Sequence, residues 1–329
     1  MQRSIIACSL VAFAFAHADP AFAPEYKVTR VVDGDTIRVD GLDSSLRLLG
    51  IDTEETFKHQ SERDAYAAGW SQYVTTVRGT SPHPVKFATP LGEDAKRWAE
   101  AWFADVDVVR LERDDEHEIR DRYNRYLAYV LAKKAGKWLC YNVEAVRAGM
   151  SPYFPKYGRS RRYHADFVAA EAEAKAAHRG IWAPGAQAYP DYAERETWWT
   201  ARGDFVEQFR AHAADPSYVD VSHADAKARL EALVGKPVVV LGIVDKIYSG
   251  RGPTRVMLGD VPLVFFHHDV LDATRITAWQ GEFVTASGTP SMYKGHVELV
   301  IDRASQLVVS QVPGITAVRP SATGDRAAP

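Results

Sequence analysis

A chain of 329 residues with 46% hydrophobic and 25% charged residues has the make-up of a soluble globular protein of two compact domains. Its formal net charge of −3 excludes a protein that coats nucleic acid with a general positive surface, so any contact with a polyanion has to be local. Two cysteines, of which Cys8 falls in an apolar leader, leave Cys140 alone and exclude an intramolecular disulfide framework.

The leader has one basic residue, Arg3, an apolar run over 5–16 and small-residue sites at Ala16-His17-Ala18 and Ala21-Phe22-Ala23. It reads as a signal peptide cut after Ala18, because the run is too short to span a membrane and Pro24 disfavours the second site. Residues 27–32, 36–39 and 46–51 are rich in β-branched and aliphatic side chains, with the turn pairs Asp33-Gly34 and Asp40-Gly41 between them, and are expected to form a three-stranded meander. Folding then brings Asp35 and Asp52 to one end of the sheet, where two carboxylates repel unless a cation sits between them. Together with the carbonyl of Thr53 they offer a hard cation oxygen alone, although Asp-Gly pairs are more often plain turns. Arg47, on the third strand and on the same face as Leu49 and Ile51, either snorkels or is aimed at an internal acceptor; the second is expected.

Residues 56–89 show no clean period, apart from a candidate helix over 62–73, and belong at the rim of the site. An amphipathic helix is expected over 92–103 with Ala95, Trp98, Ala99, Trp102 and Phe103 on one face, then strands over 106–111 and 127–132 and helices over 139–148 and 166–178, with Gly149 and Gly180 as C-terminal caps. Tyr153 to Tyr163 interleaves four basic residues with four aromatics and no acid, a pattern that suits a single strand; rings packed under a loop are as good a reading. The histidines form no metal pattern, so zinc is not expected.

The runs Val32-Asp-Gly-Asp-Thr36 and Leu46-Arg-Leu-Leu-Gly-Ile-Asp-Thr-Glu-Glu55 resemble the staphylococcal nuclease, or thermonuclease-like, family. The likeness continues at Asp121-Arg-Tyr-Asn-Arg-Tyr-Leu-Ala-Tyr-Val130, Asn142-Val-Glu-Ala-Val-Arg-Ala-Gly149, Glu171-Ala-Glu-Ala-Lys175 and Gly180-Ile-Trp182, in the family's order, and spans roughly residues 25–185. It implies an α+β, mainly β fold: a five-stranded OB-fold barrel with covering helices, a helix dividing the third strand from the fourth. It also implies Ca²⁺ on Asp35, Asp52 and Thr53, Glu55 as general base, and Arg47 and Arg125 on a pentacoordinate phosphorus. Arg122, Tyr123, Tyr153 and Tyr157 are the substrate-binding candidates. The chain departs from the family at Glu54, where Pro is usual, and at Asn124, where Gly is common and Asn tolerates the left-handed conformation.

Residues 19–188 are thus expected as the nuclease domain, 189–221 as a polar, aromatic and partly helical linker region packed on one or both domains, 222–311 as a second, OB-like barrel and 312–329 as a flexible tail. In the second domain a helix over 222–234 precedes strands over 237–247, 255–258, 263–266, 282–288 and 296–301, with a helical stretch over 270–279 dividing three from two. Of the adjacent Phe265 and Phe266 one must face the core. The expected activity is an exported (periplasmic or secreted) Ca²⁺-dependent nuclease acting on DNA and RNA, single-stranded or locally open, with little sequence preference. The alternative is an inactive nucleic-acid-binding module; a degenerate copy would be expected to lose one of Asp35, Arg47, Asp52, Glu55 or Arg125, and all five are present.

Overall fold

The computed structural model describes residues 24–81 and 83–310, so the expected signal peptide and tail lie outside the described residues. The first meander is β1 (Glu25–Tyr26), β2 (Val28–Asp33), β3 (Thr36–Val39) and β4 (Leu46–Leu48). After α1 (Gln60–Ala67) and α2 (Trp70–Arg78) come α3 (Pro90–Phe103), β5 (Val109–Glu112), β6 (Tyr126–Lys134), β7 (Lys137–Cys140), α4 (Tyr141–Arg147) and α5 (His164–Ala176). The single helix expected over 62–73 is two, because Gly69 at φ 142° takes a conformation no helix contains. α3 starts two residues early: Thr89 caps it by accepting the Gly92 N–H at 3.1 Å, and Pro90 fits its first turn. His178 (φ 52°) is the left-handed residue directly past the end of α5; Gly180, also left-handed at φ 53°, opens a 3-10 turn two residues on.

The first sheet has seven strands rather than five, in the order β1-β5-β6-β4-β3-β2 with β7 on β6. β4 and β6 are parallel, Arg47 opposite Leu127, and the other pairs are antiparallel; α3 falls between β4, the last strand of the meander, and β5, where a dividing helix is expected. The ladder is open, not the expected closed barrel. Its ends β1 and β2 are consecutive in the chain and parted only at Lys27, whose N–H and C=O are both taken by Asp40 (2.6 and 2.9 Å). β7 was missed because it is the short arm of a two-residue hairpin whose turn needs positive φ at both Ala135 and Gly136 (48° and 80°), and alanine gives no turn signal. Ile37, Leu46, Leu48, Ile51, Val130, Tyr141 and Phe167 lie in its core. Asn142 ties α4 to the parallel pair, donating to the carbonyls of Leu49 and Ala128 and accepting the Val130 N–H.

Residues expected as a linker form α6 (Tyr192–Arg210), 19 residues long, followed by β8 (Tyr218–Asp220). One end of α6 packs Trp198 and Trp199 with Tyr73 and Phe87, and the other packs Val206 and Phe209 with Leu241 and Phe283, so it sits against both cores. The remainder is α7 (Ala226–Ala232), β9 (Val238–Tyr248), β10 (Thr254–Leu258), β11 (Val261–Phe265), α8 (His268–Thr274), β12 (Phe283–Gly288), β13 (Pro290–Tyr293), β14 (His296–Val300) and β15 (Leu307–Val309). These strands with β8 make an eight-stranded sheet, ordered β13-β14-β11-β10-β9-β12-β15 with β8 on β9. Here again a three-strand meander precedes a helix, and its third strand lies parallel to a later one, β11 to β14. Phe265, the last residue of β11, is buried, and Phe266, just past the strand, is exposed.

Candidate active site

Asp35 closes the hairpin between β2 and β3, one residue later than the expected Asp33-Gly34 turn, since Asp33 pairs with Thr36 across Gly34 and Asp35. Its carboxylate accepts from Thr36 Oγ1 at 2.9 Å and from the Thr53 N–H at 3.2 Å, which fastens the hairpin to the loop after β4. β4 ends at Leu48, and Gly50 at φ 73° redirects the chain; an added Cβ would lie 2.6 Å from the Phe167 ring, so only glycine fits. The turn at Gly50 ends the strand alternation, so Ile51 lies wholly in the core and does not continue the face of Arg47 as a continuous strand would have it. Leu46 and Leu48 point into the core while Arg47 points out between them.

Arg47 Nη1 pairs with Asp35 Oδ2, and Nη2 lies 2.5 Å from Asp52 Oδ1 and donates to the Ile51 carbonyl at 3.2 Å. One guanidinium therefore bridges two carboxylates that are each more than nine-tenths buried. The Asp52 N–H donates to Ser151 Oγ at 2.8 Å, and Ile51 bridges Tyr153, so the segment after α4 forms the wall beside this pair. Burial opposes ionisation of Asp52, yet the ammonium of Lys86 and the guanidinium of Arg47 hold its carboxyl below the usual carboxylate range.

Lys86 comes from the segment expected at the site rim. Its Nζ is 2.5 Å from Asp52 Oδ1 and 3.9 Å from Glu55 Oε1. Glu55 also receives Lys58 Nζ at 2.8 Å, and its side chain is part exposed beside the buried pair. Glu54, its neighbour, faces the other way and is buried: it accepts from Thr89 Oγ1, from the Tyr189 N–H (2.6 Å) and from Tyr192 Oη (2.8 Å), and burial raises its carboxyl above the usual range against those donors. Lys156 is a second cation that spacing did not single out. Burial, with Arg202 nearby, pushes its ammonium down to about 7, and its Nζ sits 3.9 Å from the centre of the Trp198 ring.

Other candidates fall outside this cluster. Arg125 is held by Asp121, Nε to Oδ2 at 2.7 Å, in a turn where Asn124 takes φ 63°. Arg47 pairs with Leu127, and Arg125 lies two residues before Leu127, in the turn that leads into β6. Tyr123 is exposed and takes a hydrogen bond from Arg122 Nη2 at 2.8 Å, and Arg122 reaches Asp245 of β9 at 3.7 Å. Tyr157 is exposed, its ring 6.4 Å from that of Phe283. Tyr153 is buried, stacked on Phe167 at 4.8 Å, with its hydroxyl between the Ser160 N–H and His164 Nδ1, which is the packed-ring reading of that segment.

An arginine between two buried acids, with a third carboxylate and two lysines beside it, gathers three cations and three anions at one end of the sheet. Residues 45–184 match the model of the staphylococcal nuclease homologue family. The chain is 31% identical over 162 residues to the thermonuclease of Staphylococcus hyicus, covering 48% of this chain and 75% of that one. It is 30% identical over 164 residues to the thermonuclease of Staphylococcus intermedius, with the same coverage. An uncharacterized protein of Methanocaldococcus jannaschii is 31% identical over 158 residues, covering 47% of this chain and 70% of that protein. The chain belongs to the staphylococcal nuclease family, and the likeness takes in about half of it.

Proposed function

We propose that this protein is an exported, Ca²⁺-dependent phosphodiesterase that hydrolyses DNA and RNA, acting on single-stranded or locally open stretches with little sequence preference. The observation that carries the reading is Arg47 bridging Asp35 and Asp52, with Glu55 three residues beyond. Among the described residues no group of three or more His, Cys, Asp or Glu has the geometry of a metal cage. Two carboxylates and the Thr53 carbonyl fit a hard cation whose remaining ligands are water and phosphate oxygen, and contain nothing a soft metal would prefer. Ca²⁺ held there would supply positive charge to polarise the scissile phosphate.

The chain's own residues do the rest. Glu55, exposed on one side and flanked by lysines, takes the proton of the attacking water. A guanidinium has five donors, so Arg47 can hold two carboxylates and still donate to a phosphate oxygen as charge builds on it. Arg125, oriented by Asp121, is the second cation for that charge, and Arg122, Tyr123 and Tyr157 receive the flanking strand. The apolar run over 5–16 supports export. The second sheet is read as OB-like on its strand order, with nucleic-acid binding and protein contact as its two candidate roles.

Hydrolysis of a single-stranded oligonucleotide with Ca²⁺ and with chelator tests this. Activity is expected only with Ca²⁺ and is expected to collapse in Arg47→Ala. Equal rates in both conditions would sink the metal assignment, and tight binding without turnover would restore the binding-module alternative.

A further inference from the structure

We propose that Lys86 is a substrate-binding residue of this site, one that takes a phosphate of the incoming strand and rests on Asp52 when no strand is there. The proposal builds on the nuclease reading above. It begins from how firmly the stretch around this lysine is held. Arg195, buried in α6, donates to the Val85 carbonyl at 2.5 Å. The buried hydroxyl of Tyr189 accepts the Phe87 N–H at 3.2 Å and donates to the Phe87 carbonyl at 2.9 Å. Tyr73, also buried, donates to the Ala88 carbonyl at 2.9 Å, and Ala88 bridges Glu55. Backbone groups on either side of Lys86 are thus fixed by three buried side chains drawn from α2, α6 and the turn before α6.

The anchors seat Phe87 and Ala88 in the core and thereby fix the backbone from which the Lys86 side chain departs, which lowers the cost, on the order of 2 kcal/mol for a free lysine, of holding that side chain in one place. What the anchors achieve is to hold an ammonium between the buried Asp52 and Glu55. Asp52 already has Arg47, so Lys86 is surplus to its neutralisation. Arg47, Lys58 and Lys86 balance Asp35, Asp52 and Glu55 one for one, and any divalent cation added to the acids leaves the cluster positive, on a chain whose net charge is −3. The Lys86 side chain is 44% exposed against 3% for Asp52, so it is the outer member of the pair and the one a phosphate meets first.

The test uses the full-length protein and its Lys86→Met and Lys86→Arg variants. Affinity for a fluorescein-labelled oligothymidylate is measured by anisotropy in chelator across a salt series, and Tb³⁺ affinity by luminescence without nucleic acid. Lys86→Met is expected to lower the slope of log K against log salt by about 0.7, one phosphate contact on a single strand, while Lys86→Arg keeps it. Tb³⁺ is expected to bind Lys86→Met several-fold more tightly, since a competitor for Asp52 is gone. An unchanged slope in Lys86→Met, with wild-type protein that binds and cuts, overturns the phosphate role, and an unchanged Tb³⁺ affinity overturns the resting contact with Asp52. Wild-type protein that neither binds nor cuts overturns the nuclease reading, and this proposal with it.

Discussion

Glu54 and Glu55 are neighbours in the chain that face opposite environments: Glu54 is buried under three hydrogen-bond donors while Glu55 lies part exposed between two lysines at the arginine-bridged acids. Position 54, where the family usually has proline, has become an anchor for the helix that follows the nuclease-like region. The two glutamates therefore separate stability from chemistry. Glu55→Gln is expected to lower kcat by about 10²–10⁴ with the melting temperature nearly unchanged. Glu54→Gln turns an amide N–H₂ toward groups that are themselves donors and is expected to cost about 1–3 kcal/mol of stability with kcat retained. Thermal melts and oligonucleotide hydrolysis on both variants decide it, and the reverse pattern would exchange the two roles.

Gly92, in the first turn of α3, lies against the carbonyl of Glu55: an added Cβ would come within 2.1 Å of that oxygen and 2.8 Å of the Glu54 carbonyl. Backbone cannot yield there as a flexible side chain would, so Gly92→Ala is expected to push the loop carrying Glu55 outward. A displacement near 1 Å can cost about 100-fold in rate. The expected signature is a fall in kcat with KM little changed, read from steady-state kinetics; a wild-type kcat would show that the loop does not need this contact.

Arg202 and Glu282 form a buried pair, Nη1 to Oε2 at 2.5 Å, that joins α6 to the start of β12, and Trp198 Nε1 donates to the same carboxylate at 2.8 Å. Removing one partner leaves the other charge buried alone. Arg202→Met is expected to cost about 3–5 kcal/mol in urea unfolding, and the double variant Arg202→Met/Glu282→Leu is expected to recover much of that. Additive losses in the double variant would mean that the two side chains do not act as a pair.

Glu118 lies among Asp220, Asp115 and Asp114, and burial first, then those acids, raise its carboxyl to about 7. Its folded value lies above its unfolded one, so its contribution is fully present below about pH 4.5 and is lost as pH rises through about 7. Glu118→Gln is therefore expected to raise the stability at pH 8 by on the order of 1–3 kcal/mol, seen as a higher melting temperature, while leaving it unchanged near pH 4.5. Melts of both proteins from pH 4.5 to 8.5 check this; parallel curves would show that Glu118 titrates normally.

Much of the fold was legible from local pattern. Strands β2, β3, β6, β9, β10 and β14 and helices α3, α4 and α5 lie within a few residues of where apolar periodicity puts them, because each buries one face on a single core. What escaped was set by partners far away in sequence. β1 and β8, at two and three residues, are strands only because β5 and β9 lie beside them. α6 reads as polar because its length is laced with charge, yet Arg195 and Arg202 are among the largest fully buried side chains of the described residues, and each reaches a distant segment, Arg195 the Val85 carbonyl and Arg202 the Glu282 carboxylate.

The site divides in the same way. Asp35, Arg47, Asp52, Thr53 and Glu55 stand close together in the sequence, and a short meander with one turn brings them within reach of each other; their types alone read as turn residues and a loop acid, and the resemblance to the nuclease family is what singled them out. Lys86 and Lys156 carry no such signal: one lies in a segment without period and the other in a run of mixed basic and aromatic residues. That Lys86 meets Asp52, and that Tyr153 turns inward while Tyr157 stays exposed, was decided by tertiary structure. The physical reason is that side-chain direction outside regular elements depends on which distant backbone groups anchor the loop, here through Arg195, Tyr189 and Tyr73, and local sequence does not encode those contacts.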